Sequence, residues 1–373
     1  MPTLRDPQLS VRRWVLFLFA LVLIVRLVTL GAYPFFATTE PRYAEIARKM
    51  LETGNWVTPW FDHGVPFWGK PPLSFWGSAA TMAVLGVNEF GARLAPFLAT
   101  VATVALFWAW PGRDRFDQTL PVAAAVVTLS SLVGFVASGA VMTDMFMALG
   151  TTLSMVSFWV SMNDAAGRTR WRWGFFIGLA IGLLAKGPVA TVITGVALAG
   201  WVIGSPVSRL TAAWRWLPWV RGLILMALLT LPWYGLAEHR TPGFLQYFIV
   251  GEHFQRFLVS GWTGDLYGAG HAEPRGLIWW FGFGGFLPWT PLAMLAWFYL
   301  IKSADTRHSR NADQTRVWLQ GEWQYLLAWT LAPIIFFTMA RNILEAYVLP
   351  GLPAFSLLAS VLMLSAFQHP RVA

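Results

Sequence analysis

Two carboxylates and two lysines stand out because each sits where an apolar run gives way to a short polar stretch. Glu40 lies in residues 38–50, TTEPRYAEIARKM, and Asp144 lies in SGAVMTDMFMALG, at the start of an apolar run. Lys70 is held between Gly69 and Pro71 in GNWVTPWFDHGVPFWGKPPLSFW, beside Asp62, His63 and Trp68, and Lys186 lies in GLLAKGPVA between two apolar runs. A placed carboxylate can take a proton from an attacking group. A compact ammonium can hold a phosphate, and a lysine between two apolar runs is costly unless it meets an anion. TPGFLQYFIVGEHFQRF adds Glu252, His253 and Arg256, and RNILEAYVLPGLP adds Arg341, Asn342 and Tyr347.

Each of these has a plainer role. Thr39 could cap a helix that starts near Pro41, with Tyr43, Ile46, Ala47 and Met50 on one face resting on a membrane and Glu40 and Arg42 at its solvated end. Lys70 could snorkel, Asp144 could be an N-cap favoured by the helix dipole, and Glu252 and Arg256 could be an i,i+4 surface pair. Glu40, Asp144 and His63 could gather a divalent metal, as could His253, His271 and Glu273, although no HxxH spacing supports it. No cofactor is called for with certainty. The chain has no phosphate-binding Gly-rich loop, no GxSxG and no Ser/His/Asp pattern.

The elements that position these residues follow from composition. Hydrophobic residues are 56% of 373 and charged residues only 12%, more apolar surface than a water-soluble domain could cover. A span needs ~20 apolar residues, so the chain is expected to be an all-α polytopic membrane protein with about ten spans. Many of the 23 Trp flank apolar runs, as interfacial aromatics do. The absence of Cys excludes disulfides and thiolate chemistry. The net charge of +9 is better explained by topology than by nucleic acid, which is not an expected partner.

The first 13 residues carry Arg5, Arg12 and Arg13, and the run that follows, Trp14 to about Ala32, has no small-residue cleavage site, so it reads as an uncleaved first helix. Arg113/Arg115, Arg168/Arg170/Arg172, Arg209/Arg215/Arg221 and Lys302/Arg307/Arg310/Arg316 mark four cytoplasmic loops and put both termini in the cytoplasm. Spans at roughly 14–32, 92–110, 119–139, 144–162, 173–185, 187–204, 222–238, 277–301, 322–340 and 347–367 satisfy this, provided that residues 71–86 lie at the interface. The chain then forms one transmembrane domain, 1–373, with a first external loop at 33–91 containing interfacial helices and a large one at 239–276. Most of the unusual polar residues fall on that outer side. A transporter or flippase, or a non-catalytic scaffold, would share the composition. Arg26, inside the first span, favours the transporter, but no internal repeat supports it.

Taken in order, EPRYAEIARKMLETGNWVTP, GKPPLSFW, GVNEFGARL, TDM, AKGPVA, PGFLQYFIVGEHFQRF and YVLPGLPA resemble bacterial glycosyltransferase family 39 and the lipid A aminoarabinose transferases. These are GT-C superfamily enzymes related to protein O-mannosyltransferases. The likeness covers about residues 14–360 and implies a GT-C-type bundle in the bacterial inner membrane with a periplasmic active site. It implies a sugar donor linked to undecaprenyl phosphate or a similar polyprenyl carrier, and a periplasmic acceptor that could be lipid A, a glycan, a lipid or a protein. By the resemblance Glu40 and Asp144 match the acids of the first and second external loops. Glu40 is preceded by Thr39 where the family often has Asp. Lys70 matches the lysine of a Glu-Lys-Pro segment, with Gly69 in place of Glu, which weakens the case for aminoarabinose as the donor sugar. Lys186 matches the lysine of a Thr-Lys-Gly-Pro turn, with Ala185 before it. Glu40 and Asp144 are thus expected to serve the acceptor, and Lys70, Lys186, Arg256 and Arg341 the lipid phosphate. Arg42, Tyr43, Asp62, His63, Trp68, Glu252, His253 and Tyr347 are expected around the substrate. Many relatives also carry a soluble C-terminal periplasmic domain, which the sequence is read as lacking.

Overall fold

The computed structural model describes residues 7–111, 116, 118–163, 168–205, 211, 215–256, 264–268, 273–305 and 319–368. Arg5, Arg113, Arg115, Arg209, Arg307, Arg310, Arg316 and His271 lie outside the described residues.

The protein is an all-α polytopic membrane protein, and each expected span finds a helix. These are α1 (Pro7–Thr29), α4 (Glu89–Ala105, extended by a 3₁₀ turn to Ala109), α5 (Thr119–Ser130), α7 (Asp144–Asn163), α8 (Arg168–Lys186), α9 (Pro188–Ile203), α10 (Trp219–Arg240), α13 (Gln324–Phe337) and α14 (Leu352–Phe367, preceded by a 3₁₀ turn from Glu345). The loop helices are α2 (Thr39–Thr53) and α3 (Leu73–Leu85). Four helical stretches among the described residues, Glu89–Ala109, Asp144–Asn163, Trp219–Arg240 and Glu345–Phe367, are each long and apolar enough to cross a bilayer. The apolar face that α10 leaves uncovered, with Val220, Ile224, Leu228 and Leu231 exposed, suits lipid rather than water.

Two expected spans are not straight. The run 119–139 breaks at Ser131, whose extended backbone separates α5 from the short α6 (Leu132–Ala137) and frees the Leu132 amide to bond the Leu287 carbonyl. The run 277–301 is a pair, α11 (Leu277–Gly285) and α12 (Trp289–Asp305), bent by 85°. Pro288, at the bend, lacks a backbone donor and disfavours continuation of the helix.

The helices that carry Asp144 and Lys186 are packed unusually close. Gly174, Gly178 and Gly182 recur every fourth residue along one face of α8, and a Cβ on Gly178 would lie 2.5 Å from the Gly150 carbonyl oxygen on α7. Small residues at this spacing let helix backbones touch. The antiparallel α7–α8 hairpin therefore brings the first residue of α7, Asp144, against the last residue of α8, Lys186.

The segment between α1 and α4 packs on itself and on the bundle. The face of α2 carrying Tyr43, Ile46, Ala47 and Met50 is buried against Phe67, Phe75, Ala79 and Met82. The expectation that this face rests on the membrane is thus corrected: α3 and the 60–67 segment cover it, because aromatic and aliphatic side chains from the same loop bury it fully. Between them a hairpin, β1 (Trp60–Asp62) and β2 (Val65–Pro66), turns at His63-Gly64, where Gly64 has φ +75°.

Candidate functional site

A cavity of about 430 Å³ opens between α8–α9, the 246–256 segment and the end of α13. One end carries Lys70, Lys186, Glu252, His253 and Arg256, and the wall leading away from them is Val189, Val192, Phe336 and Phe337. Cations at one end of an apolar trough suit a ligand with an anionic head and a hydrocarbon tail.

Local backbone geometry fixes the charged end. Lys186 ends α8, where a cation is favoured by the helix dipole, and Gly187 follows at φ +88°. A Cβ there would be 2.5 Å from Phe248 and 3.0 Å from His253 Nε2, so only glycine lets the turn close on the 246–256 segment. Lys186 pairs with Asp144 Oδ1 and lies 4.3 Å from the centre of the Tyr347 ring. Among the described residues Lys186 is the side-chain hydrogen-bond partner of Asp144.

Residues 246–255 form a π-helix, a rare geometry frequent at functional sites. Glu252, with a side chain 5% exposed, accepts from Lys70 Nζ at 3.2 Å, from Arg256 Nη1 at 2.9 and 3.0 Å and from Tyr247 Oη at 3.2 Å. Burial raises its carboxyl, but Lys70 and Arg256 outweigh that and hold it below the usual range. Arg256 also reaches Asp265 at 3.4 Å. Burial pushes the His253 imidazole down, and its Nδ1 lies 2.7 Å from the Phe248 carbonyl oxygen, which accepts a proton held there.

The other expected residues divide. Tyr43 is buried among Phe67 and Phe75, with its hydroxyl pushed far up by burial and then by the Asp144 and Glu252 carboxylates, so it borders the charged end from the α2 side. Trp68 donates from its indole to Thr241 at 3.1 Å and packs on Tyr247, closing the loop over the site. Arg42 stacks on Phe61 at 5.9 Å. Asp62 and His63 lie at the hairpin turn and do not line this cavity, and Asp62 accepts from Lys49 at 3.2 Å. Arg341 is exposed and does not line the cavity, which takes Asn342 instead.

Glu40 does not line this cavity and is held elsewhere. Its two oxygens accept from Arg93 Nε at 2.7 Å, Arg93 Nη2 at 3.0 Å, the Val141 amide at 3.2 Å and the Phe36 amide at 2.8 Å. A carboxylate has about four lone-pair sites, and all are filled. Arg93, fully buried, completes its own set on the Leu30, Tyr33 and Pro34 carbonyls and stacks on Tyr33 at 4.0 Å. Sequence reasoning missed Arg93, although an arginine inside an apolar run signals a buried partner. Glu40, Asp144 and His63 do not converge, and among the described residues no three His, Asp or Glu side chains could hold a metal ion.

The site and bundle together define a polytopic membrane protein with a cavity lined by both charged and apolar side chains. The chain belongs to the dolichyl-phosphate-mannose-protein mannosyltransferase family, whose model matches residues 9–248. It is 31% identical over 360 residues to an undecaprenyl phosphate-alpha-4-amino-4-deoxy-L-arabinose arabinosyl transferase of Pseudomonas savastanoi pv. phaseolicola, and 29% identical over 351 residues to that of Shewanella sediminis. Those alignments cover 95% and 92% of this chain but 62% and 58% of the relatives, so the chain spans only part of their length. The fold is also that of the crystal structure of ArnT from Cupriavidus metallidurans bound to undecaprenyl phosphate, with TM-score 0.75 and 25% identity over 94% of this chain and 60% of that one. The family resemblance carried by the motifs is borne out.

Proposed function

We propose that the protein transfers a sugar from a polyprenyl-phosphate carrier to an acceptor at the periplasmic face of the bacterial inner membrane, with both termini in the cytoplasm. One observation carries this reading: three cations, Lys70, Lys186 and Arg256, meet at one end of an apolar trough. The lengthwise likeness to transferases named for undecaprenyl-phosphate aminoarabinose supports it.

In this mechanism the trough takes the polyprenyl chain, and Lys70, Arg256 and Lys186 take the phosphate. The acceptor's nucleophilic atom forms a bond to the anomeric carbon from the face opposite the phosphate. The bond from that carbon to the phosphate oxygen breaks, its electron pair leaves with the polyprenyl phosphate, and the anomeric centre inverts. The cations stabilise charge as it grows on the leaving group. Asp144 takes the acceptor's proton, and the pairing with Lys186 holds the carboxylate in place. Lys186 thereby links the base to the leaving group. Glu252 balances Lys70 and Arg256 before the lipid arrives.

The test is release of polyprenyl phosphate by purified wild-type and Asp144→Asn protein, given a panel of polyprenyl-phosphate sugars and an envelope acceptor extract. Wild-type release that falls by ~10²–10⁴-fold in the variant is expected for a lost general base. Absence of release with every donor sinks the transferase reading, and equal release by the variant sinks the role of Asp144.

A further inference from the structure

Arg26, the charge within the first span, has no part in the cavity. It is buried at 2% exposure, and among the described residues no carboxylate pairs with it. A charge at such depth costs several kcal/mol unless its hydrogen bonds are met. Its bonds go to its own turn and to one other place. Nη1 donates to Thr29 Oγ1 at 3.4 Å and to Tyr33 Oη at 3.2 Å, while Nε donates to Ser138 Oγ at 3.1 Å and Nη2 to the Val136 carbonyl at 3.1 Å. The guanidinium also lies over Phe135 at 4.8 Å.

Residues 138–143 are the irregular strap between α6 and α7, and the next residue is Asp144. Tyr33 Oη, held by Arg26, donates to the Gly139 carbonyl at 3.4 Å, and the Val141 amide donates to Glu40 Oε1 at 3.2 Å. The end of α6, at 136, and the strap, at 138, 139 and 141, are thus tied to α1, to Tyr33 after it and to the start of α2. Gly139 lies so close to the guanidinium that a Cβ there would collide with it. Strap and arginine are fitted to each other.

We propose that Arg26, with Gly139 as its seat, is a positioning residue: through the 136–141 strap it sets where Asp144 stands against Lys186. The inference rests on the reading of Asp144 as base, but its geometry can be tested without that. A misplacement of ~1 Å at a reacting group costs on the order of 10²-fold in rate. A mere anchor would cost stability alone.

The variants are Arg26→Gln and Gly139→Ala, the second keeping the arginine and guarding against misfolding of the first. Two readouts are taken on the purified full chain. The first is amide hydrogen exchange of peptide 136–147, which needs no turnover. Faster exchange there in both variants, with the rest of the bundle unchanged, is expected, and wild-type exchange in Gly139→Ala overturns the proposal. The second is polyprenyl phosphate release. A fall of at least ~10-fold in kcat with KM for the donor within about threefold is expected, with no further loss when either variant is combined with Asp144→Asn. Wild-type kcat in the folded variants, or losses that add to that of Asp144→Asn, overturns it. Faster exchange in the variants together with a wild type that releases nothing from any donor would uphold the strap and sink the transferase reading instead.

Discussion

Two carboxylate–cation clusters of the molecule have opposite designs. Around Glu40 and Arg93 every donor and acceptor is spent within the protein, and the arginine is fully buried. Around Lys70, Glu252, Arg256 and Lys186 the same kinds of group line an open cavity, with three cations set against the carboxylates of Glu252 and Asp144. A closed cluster fixes where chain segments lie, since an unmet buried charge is so costly that the arrangement has few alternatives. An open one keeps positive potential for a ligand. Residue type alone does not separate the two. Saturation of lone pairs and donors does.

Breaking the closed cluster should have the largest effect. Arg93→Ala leaves the Glu40 carboxylate buried without its cation, a change worth roughly 3–5 kcal/mol. The expected outcome is loss of most folded protein, read as aggregation on size exclusion in detergent. Glu40→Gln is milder because the amide still accepts hydrogen bonds. A folded, wild-type-stable Arg93→Ala protein would mean that the pair does not hold the first loop.

The open cluster should respond in binding rather than in folding. Lys70→Ala removes one charge-assisted bond, worth roughly 1.5–3 kcal/mol, so affinity for polyprenyl phosphate should fall by ~10–100-fold. Its thermal midpoint should stay near that of the wild type. Binding to the purified protein, followed by quenching of tryptophan fluorescence, checks this. Undiminished affinity would take Lys70 out of the phosphate role and erase the contrast between the clusters.

The sequence made the open cluster legible and concealed the closed one. Lys70, Asp144, Lys186 and Glu252 are charges at the ends of apolar runs, so hydropathy alone picks them out. Arg93 lies at the head of a run read as a span, and its partner is 53 residues away in the chain, a distance that no local pattern bridges. Glu40 was visible, but its state depends on donors from α4, from the 136–141 strap and from its own preceding loop. Asp62 and His63 are exposed outside the cavity lining for a local reason: Asp62-His63-Gly64 turns a two-stranded hairpin. The helices followed from apolar periodicity and Pro288 marks the 85° bend locally, whereas the break at Ser131 is accompanied by a bond to the distant Leu287 carbonyl.

The smallest expected effect concerns pH and sharpens the same contrast. Burial depresses the His253 imidazole from its ordinary value of 6.5. Between the folded and unfolded values the unfolded chain binds more protons, so stability rises with pH in that window. The contribution is complete above about pH 6.5 and is lost as pH falls toward the depressed folded value. Glu252, also held low, has the same sign, but its window lies below the ordinary carboxylate value of 4.5. Wild-type stability in detergent should therefore fall on acidification from pH 7 in two stages, the first no steeper than about 1.4 kcal/mol per pH unit. His253→Gln should remove the first stage and keep the second, as read from thermal midpoints at fixed scan rate. A first stage that survives in His253→Gln would place that titration outside the open cluster.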